Sequence, residues 1–153
     1  MLFRSLEAVR REALRDDPSG WLALHRFYPG VEERLRRLQS DHVPWLVLTT
    51  KGGAFATRLL EAAGLEPQAV YGHERGSKPE VLLELCADGH PLWFVEDRRA
   101  TLERVRTTPG LESVRCFLAL WGYLGPGDDK GLGSLGIHPL DAARFDGPLA
   151  DWP

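Results

Sequence analysis

Thr49, Lys78 and the Glu96-Asp97 pair are the residues whose types and positions could do chemistry. Thr49 and Asp97 each close a short apolar run, and Lys78 opens the helix that follows another. In an open parallel sheet, ligands collect outside the carboxyl ends of the strands, so such positions are where function is expected. A hydroxyl donor, an ammonium and a metal-binding carboxylate together form the set needed to hold a transferring phosphoryl group. Taken singly, each has an ordinary explanation: a strand-end threonine is a common turn residue, and a lysine in a first helical turn is commonly just solvated. Their order gives them weight, because they follow one another at intervals of 29 and 19 positions on the same edge of the predicted sheet.

The elements that must position these residues are legible as an alternation. Val43-Pro44-Trp45-Leu46-Val47-Leu48 is a continuous apolar run ending in Thr49-Thr50, the pattern of a strand buried on both faces. Gly52-Gly53 leads to a helix over Ala54–Ala63 stopped by Gly64, and a short strand is expected around Ala69–Tyr71. The next helix opens at Ser77-Lys78-Pro79-Glu80, where Ser77 and Glu80 have capping-box spacing and Pro79 occupies the first turn. Pro91–Val95 reads as a second buried strand ending in Glu96-Asp97, followed by a helix from Arg99 to Thr107 and a third strand over Val114–Leu120. Strand and helix alternating at short loop lengths predict an α/β fold with a parallel sheet and crossover helices.

Ahead of this alternation, Leu2, Phe3, Leu6, Val9 and Leu14 recur at helical spacing; Asp16, Asp17, Pro18 and Gly20 then read as a break. An aromatic-rich stretch, Trp21–Tyr28, and a helix over Val31–Gln39 follow. Gly122–Gly136 lacks periodicity and is expected to be a mobile loop. The tail, Ile137–Pro153, is read as a short edge strand or a surface segment, with Trp152 docked. The boundaries are therefore 1–42 for a helical cap-like region, 43–123 for the α/β core, and 124–153 for loop and tail.

The chain is 153 residues long, 43% hydrophobic, and carries 19 basic against 22 acidic residues for a formal charge of -3. The charges are dispersed, which argues against nucleic acid as a partner. No membrane-length apolar run or signal-peptide core is present, and Cys86 and Cys116 sit in apolar stretches without ligand spacing, so a cytoplasmic protein with core cysteines is expected. His25 and His73 have no partner at metal-ligand spacing and read as surface or capping residues.

The motifs also resemble a family. Leu46-Val47-Leu48-Thr49-Thr50-Lys51, Gly76-Ser77-Lys78-Pro79-Glu80 and Phe94-Val95-Glu96-Asp97 look like the second, third and fourth motifs of the haloacid dehalogenase (HAD) superfamily of hydrolases, over about residues 43 to 121. More narrowly, Trp21–Val31 and Leu92–Arg98 resemble a cyanobacterial branch of HAD-like proteins. The resemblance implies a Rossmannoid three-layer sandwich with a partial helical cap. It implies that Thr49 hydrogen-bonds a phosphoryl oxygen, that Lys78 neutralises nucleophile and phosphate, and that Asp97 holds magnesium. Glu96 departs from the glycine of many members, and is open to two readings: a second carboxylate for the Mg2+ ion, or an ion-pair partner of Arg98 or Arg99. Lys51 would assist phosphate attraction, and Arg98 and Arg99 could line the cleft mouth.

Members of the family begin with a strand ending in Asp-x-Asp, whose first aspartate attacks phosphorus. This sequence has none: Asp16-Asp17 follows a helical pattern and precedes Pro18. The expectation is a phosphatase for a small phosphorylated metabolite in an intact protein, with the present chain inactive for lack of its nucleophile. The absent strand is central in the family's sheet, so its neighbours would face each other across roughly twice the ~4.8 Å strand spacing, and dimerisation becomes plausible. The main rival is a catalytically dead binding domain. A receiver-like signalling module is weaker, because its acidic pocket also needs an early strand.

Overall fold

The computed structural model describes residues 15–23 and 25–153. The helix expected over Leu2–Leu14 lies outside them. The chain divides into two compact units, Met1–Gly76 and Ser77–Pro153.

In the first unit, helical backbone at Arg15-Asp16 is interrupted at Asp17, where a break was expected, and α1 (Pro18–Ala23) starts directly after it. Asp17 Oδ1 accepts from the Gly20 N–H at 3.1 Å, so the Asp-Pro-Ser-Gly run is a helix start, with an N-cap aspartate and proline in the first turn. Helix α2 (Val31–Ser40) follows the left-handed Gly30 and buries Arg34 and Leu38, four residues apart on one face. Arg36 pairs with Glu32 and also donates to the Ala63 carbonyl at 2.6 Å. That carbonyl stands just past α3 (Gly53–Ala62), so the bond serves a helix end whose carbonyls lack intrahelical donors. Strand β1 (Leu46–Leu48) pairs in parallel with β2 (Ala69–Tyr71), Leu46 opposite Ala69. Phe55, Ala56, Leu60 and Leu65 form the buried centre.

The second unit is a three-stranded parallel sheet in the order β3 (Trp93–Glu96), β4 (Arg115–Ala119), β5 (Ile137–Leu140). Helix α4 (Lys78–Cys86) opens with the predicted capping box: the Ser77 side chain accepts from the Glu80 N–H, and Glu80 Oε2 accepts from the Ser77 N–H at 2.8 Å. Helix α5 (Arg99–Thr107) buries Leu102 and Val105 completely, and all of β4 from Cys116 to Ala119 is buried. Fully burying a leucine is worth about 1.5–3 kcal/mol, so Leu102 is a principal stabilising contact.

The tail builds part of this core. β5 is an edge strand, α6 (Ala142–Asp146) is capped by Asp141, whose Oδ1 accepts from the Arg144 N–H at 2.7 Å, and Trp152 is buried. The Trp152 ring lies 5.3 Å from Phe117 and 5.6 Å from Phe145. Arg115 stacks over Trp93 at 4.5 Å and donates to the Pro153 carbonyl. The α/β alternation and parallel pairing therefore match expectation; the five strands form a two-stranded and a three-stranded sheet, and β1 and β3 are not paired with each other. Among the described residues, β1 and β3 each have one edge without a strand partner.

Candidate functional site

The carboxyl end of β3 carries a cluster of polar contacts. Glu96 is the last residue of the strand and is buried. Its Oε2 accepts from the Lys78 ammonium, presented by the first turn of α4, while its Oε1 accepts from the Asp97 and Arg98 N–H groups, both at 3.1 Å. Folding thus brings together Lys78 and Glu96, eighteen positions apart. Glu96 was expected to be a metal carboxylate or a partner of Arg98 or Arg99; its ionic partner is Lys78, and from Arg98 it takes only the backbone N–H.

Asp97 follows directly. Its Oδ2 accepts from the Tyr123 N–H at 3.0 Å, which ties the strand end to the segment after β4 on the same edge of the sheet. Gly122 makes this approach possible, since a Cβ there would overlap the Asp97 side chain. Arg99 is engaged along its own helix and the following segment. It pairs with Glu103 at 2.8 Å and donates to the carbonyls of Gly127, Asp128 and Lys130, so the segment read as a mobile loop is tethered to α5.

Both oxygens of Glu96 and one of Asp97 are thus engaged, leaving Asp97 Oδ1 without a partner among the described residues. Magnesium takes about six oxygen ligands in octahedral geometry. One or two carboxylates commonly suffice, with waters and substrate phosphate supplying the rest; here Asp97 Oδ1 is the open carboxylate oxygen, and the Lys78 ammonium sits on Glu96. No cluster of three or more His, Cys, Asp or Glu groups able to hold a metal occurs among the described residues.

Thr49 belongs to the first unit, at the carboxyl end of β1. Its N–H continues the β1–β2 ladder to the Tyr71 carbonyl at 2.9 Å, and its Oγ1 accepts from the Lys51 N–H at 3.1 Å. The hydroxyl proton is left to donate. Thr49 and Lys51 line a cavity of about 630 Å³, together with His25, Arg26 and the apolar residues of β1 and α3. His25 stands edge-on to Phe55, with ring centroids 5.0 Å apart, and so forms part of a wall.

Two features escaped the sequence reading. Glu74 caps α3: its two carboxylate oxygens accept from the Gly53 N–H at 3.0 and 3.3 Å. Gly72 lies so close to Gly53 and Glu74 that no side chain fits there. The paired glycines Gly52-Gly53 were the available signal, but nothing in local spacing pointed to a carboxylate 21 residues on. Neighbouring His73 is exposed and opens a 3₁₀ turn, as its surface reading implied. Cys116 is fully buried, and burial pushes its thiol pKa up, against a smaller opposing effect of Arg106.

No family model, no curated protein and no solved structure matches this chain.

Proposed function

We propose that residues 43–121 are the greater part of a HAD-type phosphatase core, acting in the intact protein on a small phosphorylated metabolite. In that reading an aspartate supplied from outside the elements described above attacks phosphorus. The alcohol leaves, and water then hydrolyses the aspartyl phosphate to regenerate the carboxylate. Thr49 donates its hydroxyl to a phosphoryl oxygen, and Lys78 balances the charge of nucleophile and phosphate. Asp97 would offer its open Oδ1 to magnesium, which would supply charge neutralisation at the phosphoryl group.

The observation that most supports this reading is the seating of the Lys78 ammonium on Glu96, beside Asp97, at the carboxyl end of a parallel strand. A lysine held there by a buried carboxylate is kept extended toward the sheet edge where ligands bind. Among the described residues, β1 and β3 each have one edge without a partner strand, so either sheet can take another strand.

A second reading, a non-catalytic HAD-like binding domain, draws on the same contact. Glu96 already neutralises Lys78, and three of the four carboxylate oxygens at this edge are committed. Hydrolysis of p-nitrophenyl phosphate in magnesium buffer, by a version extended upstream to include an Asp-x-Asp strand, separates the two. The phosphatase reading requires activity that falls at least a hundredfold in Lys78→Met and Asp97→Ala. Absence of activity in a folded extended protein favours the binding domain.

A further inference from the structure

Residues 122–130 contain neither helix nor strand, yet they are held at several points. Pro126 and Gly127 form the centre of a turn, with Gly127 left-handed at φ 80° and the Asp128 N–H donating to the Gly125 carbonyl at 3.2 Å, the type II pattern. Asp128 Oδ2 accepts from the Gly125 N–H at 2.7 Å and closes the same turn. Two anchors, two positions apart in sequence, then fix the segment to the junction of β3 and α5. Asp97 Oδ2 accepts from the Tyr123 N–H at the start of the segment, and Arg99 donates to the carbonyls of Gly127, Asp128 and Lys130 at its end. Glu103, one turn along α5, holds the Arg99 guanidinium in place for this.

The segment thereby fixes a carboxylate of the candidate site. With Oδ2 committed to a backbone amide, Asp97 presents Oδ1 in a set orientation, and a ligand taken there has less freedom to remove. Hydrogen bonds of this kind orient metal-binding carboxylates, and their loss typically lowers metal affinity about 10–100-fold. We propose that Arg99 is a positioning residue for Asp97, acting through residues 122–130: by ordering that segment it keeps the Tyr123 N–H on Oδ2 and leaves Oδ1 for a divalent cation. That the ligand is a cation rests on the phosphatase reading; the coupling of Asp97 to Arg99 rests on the contacts alone. Such coupling is reciprocal, so a cation on Asp97 must favour the ordered segment by the factor with which the ordered segment favours the cation.

The test uses the present chain with Mg2+ alone, followed by ¹H–¹⁵N NMR and amide hydrogen exchange. Mg2+ should displace the amide signals of residues 96–98 and 123 and slow exchange at Tyr123 and Gly125. Arg99→Gln should weaken Mg2+ at least threefold and speed Tyr123 exchange at least threefold, while the Phe117 and Leu118 amides of β4 keep their rates, which separates positioning from a general loss of stability. Arg99→Lys keeps a donor for the carbonyls without the fork and should recover part of the loss. Lys130→Gln, whose contribution is a main-chain carbonyl, should change nothing. Wild-type Mg2+ affinity in Arg99→Gln, or no response of residues 96–98 and 123 to Mg2+, would overturn the assignment. Should Arg99→Gln fail to fold, the effect of Mg2+ on Tyr123 exchange in the unaltered chain still decides, since reciprocity requires it. The two readings fail separately. An extended protein without phosphatase activity, in which Arg99→Gln still weakens Mg2+ and frees the Tyr123 amide, sinks the phosphatase reading and leaves this one standing. An active one in which Arg99→Gln matches wild type in both sinks this one alone.

Discussion

Lys78→Met should destabilise the second unit more than Glu96→Gln, and the two losses should not add. The Glu96 side chain is 6% exposed and that of Lys78 19%. Removing one partner of a buried pair costs about 3–5 kcal/mol when the other charge is left uncompensated. In Lys78→Met the carboxylate keeps the Asp97 and Arg98 N–H groups, so a smaller loss, about 2–4 kcal/mol, is expected. In Glu96→Gln the side-chain oxygen still accepts from those amides, and the flexible ammonium can turn to water, so about 1–2 kcal/mol is expected. The double variant should then show a coupling of about 1–2 kcal/mol, within the range for residues in contact. Urea unfolding followed by tryptophan fluorescence reads it, since the Trp93 ring lies 5.6 Å from that of the buried Trp152 in this unit. A coupling below about 0.3 kcal/mol, the level of independent sites, would show that the pair does not act as a unit.

Further outcomes follow from other contacts. Gly122→Ala should cost about 1–3 kcal/mol, because its Cβ must push Asp97 away from the Tyr123 N–H; an unchanged melting temperature would contradict that close approach. Cys116 should resist a thiol reagent under native conditions while Cys86 reacts, since only Cys116 is fully buried; equal rates would contradict the packing of β4. Because burial raises the Cys116 pKa above its unfolded value, its neutral thiol favours the fold at low pH. That contribution fades once pH exceeds the unfolded thiol value of about 8.5, so stability should fall on alkaline titration, and less so in Cys116→Ala. The unpartnered edges of β1 and β3 should drive concentration-dependent self-association, and light scattering at the monomer mass across a wide concentration range would refute this.

Local signals were the legible ones. The Ser77–Glu80 capping box, the limits of α5 and the register of apolar runs with β1 to β4 are all set by residues within a few positions of one another. Where a feature depends on a distant partner, the sequence was silent or misleading. Glu96 was legible as a strand-end carboxylate, yet its choice of Lys78 over the adjacent arginines is decided by how α4 lies against β3. Asp17-Pro18 both ends one helix and starts the next: the backbone is helical to Asp16, and Asp17 then accepts from the Gly20 N–H, a local bond that the break reading did not include. Gly122 looked like loop composition because the reason for it, the Asp97 side chain, lies 25 residues earlier. Which strands pair is a non-local matter that no periodicity encodes, and the expected separation of β1 from β3 came only from the family resemblance.

The most direct measurement is hydrolysis of p-nitrophenyl phosphate by the present chain beside a form extended upstream in its own reading frame. The account predicts no turnover by the chain and turnover by the extended form, abolished by Asp97→Ala. Turnover by residues 1–153 alone, or an upstream frame closed by a stop before any apolar strand ending in Asp-x-Asp, would contradict it.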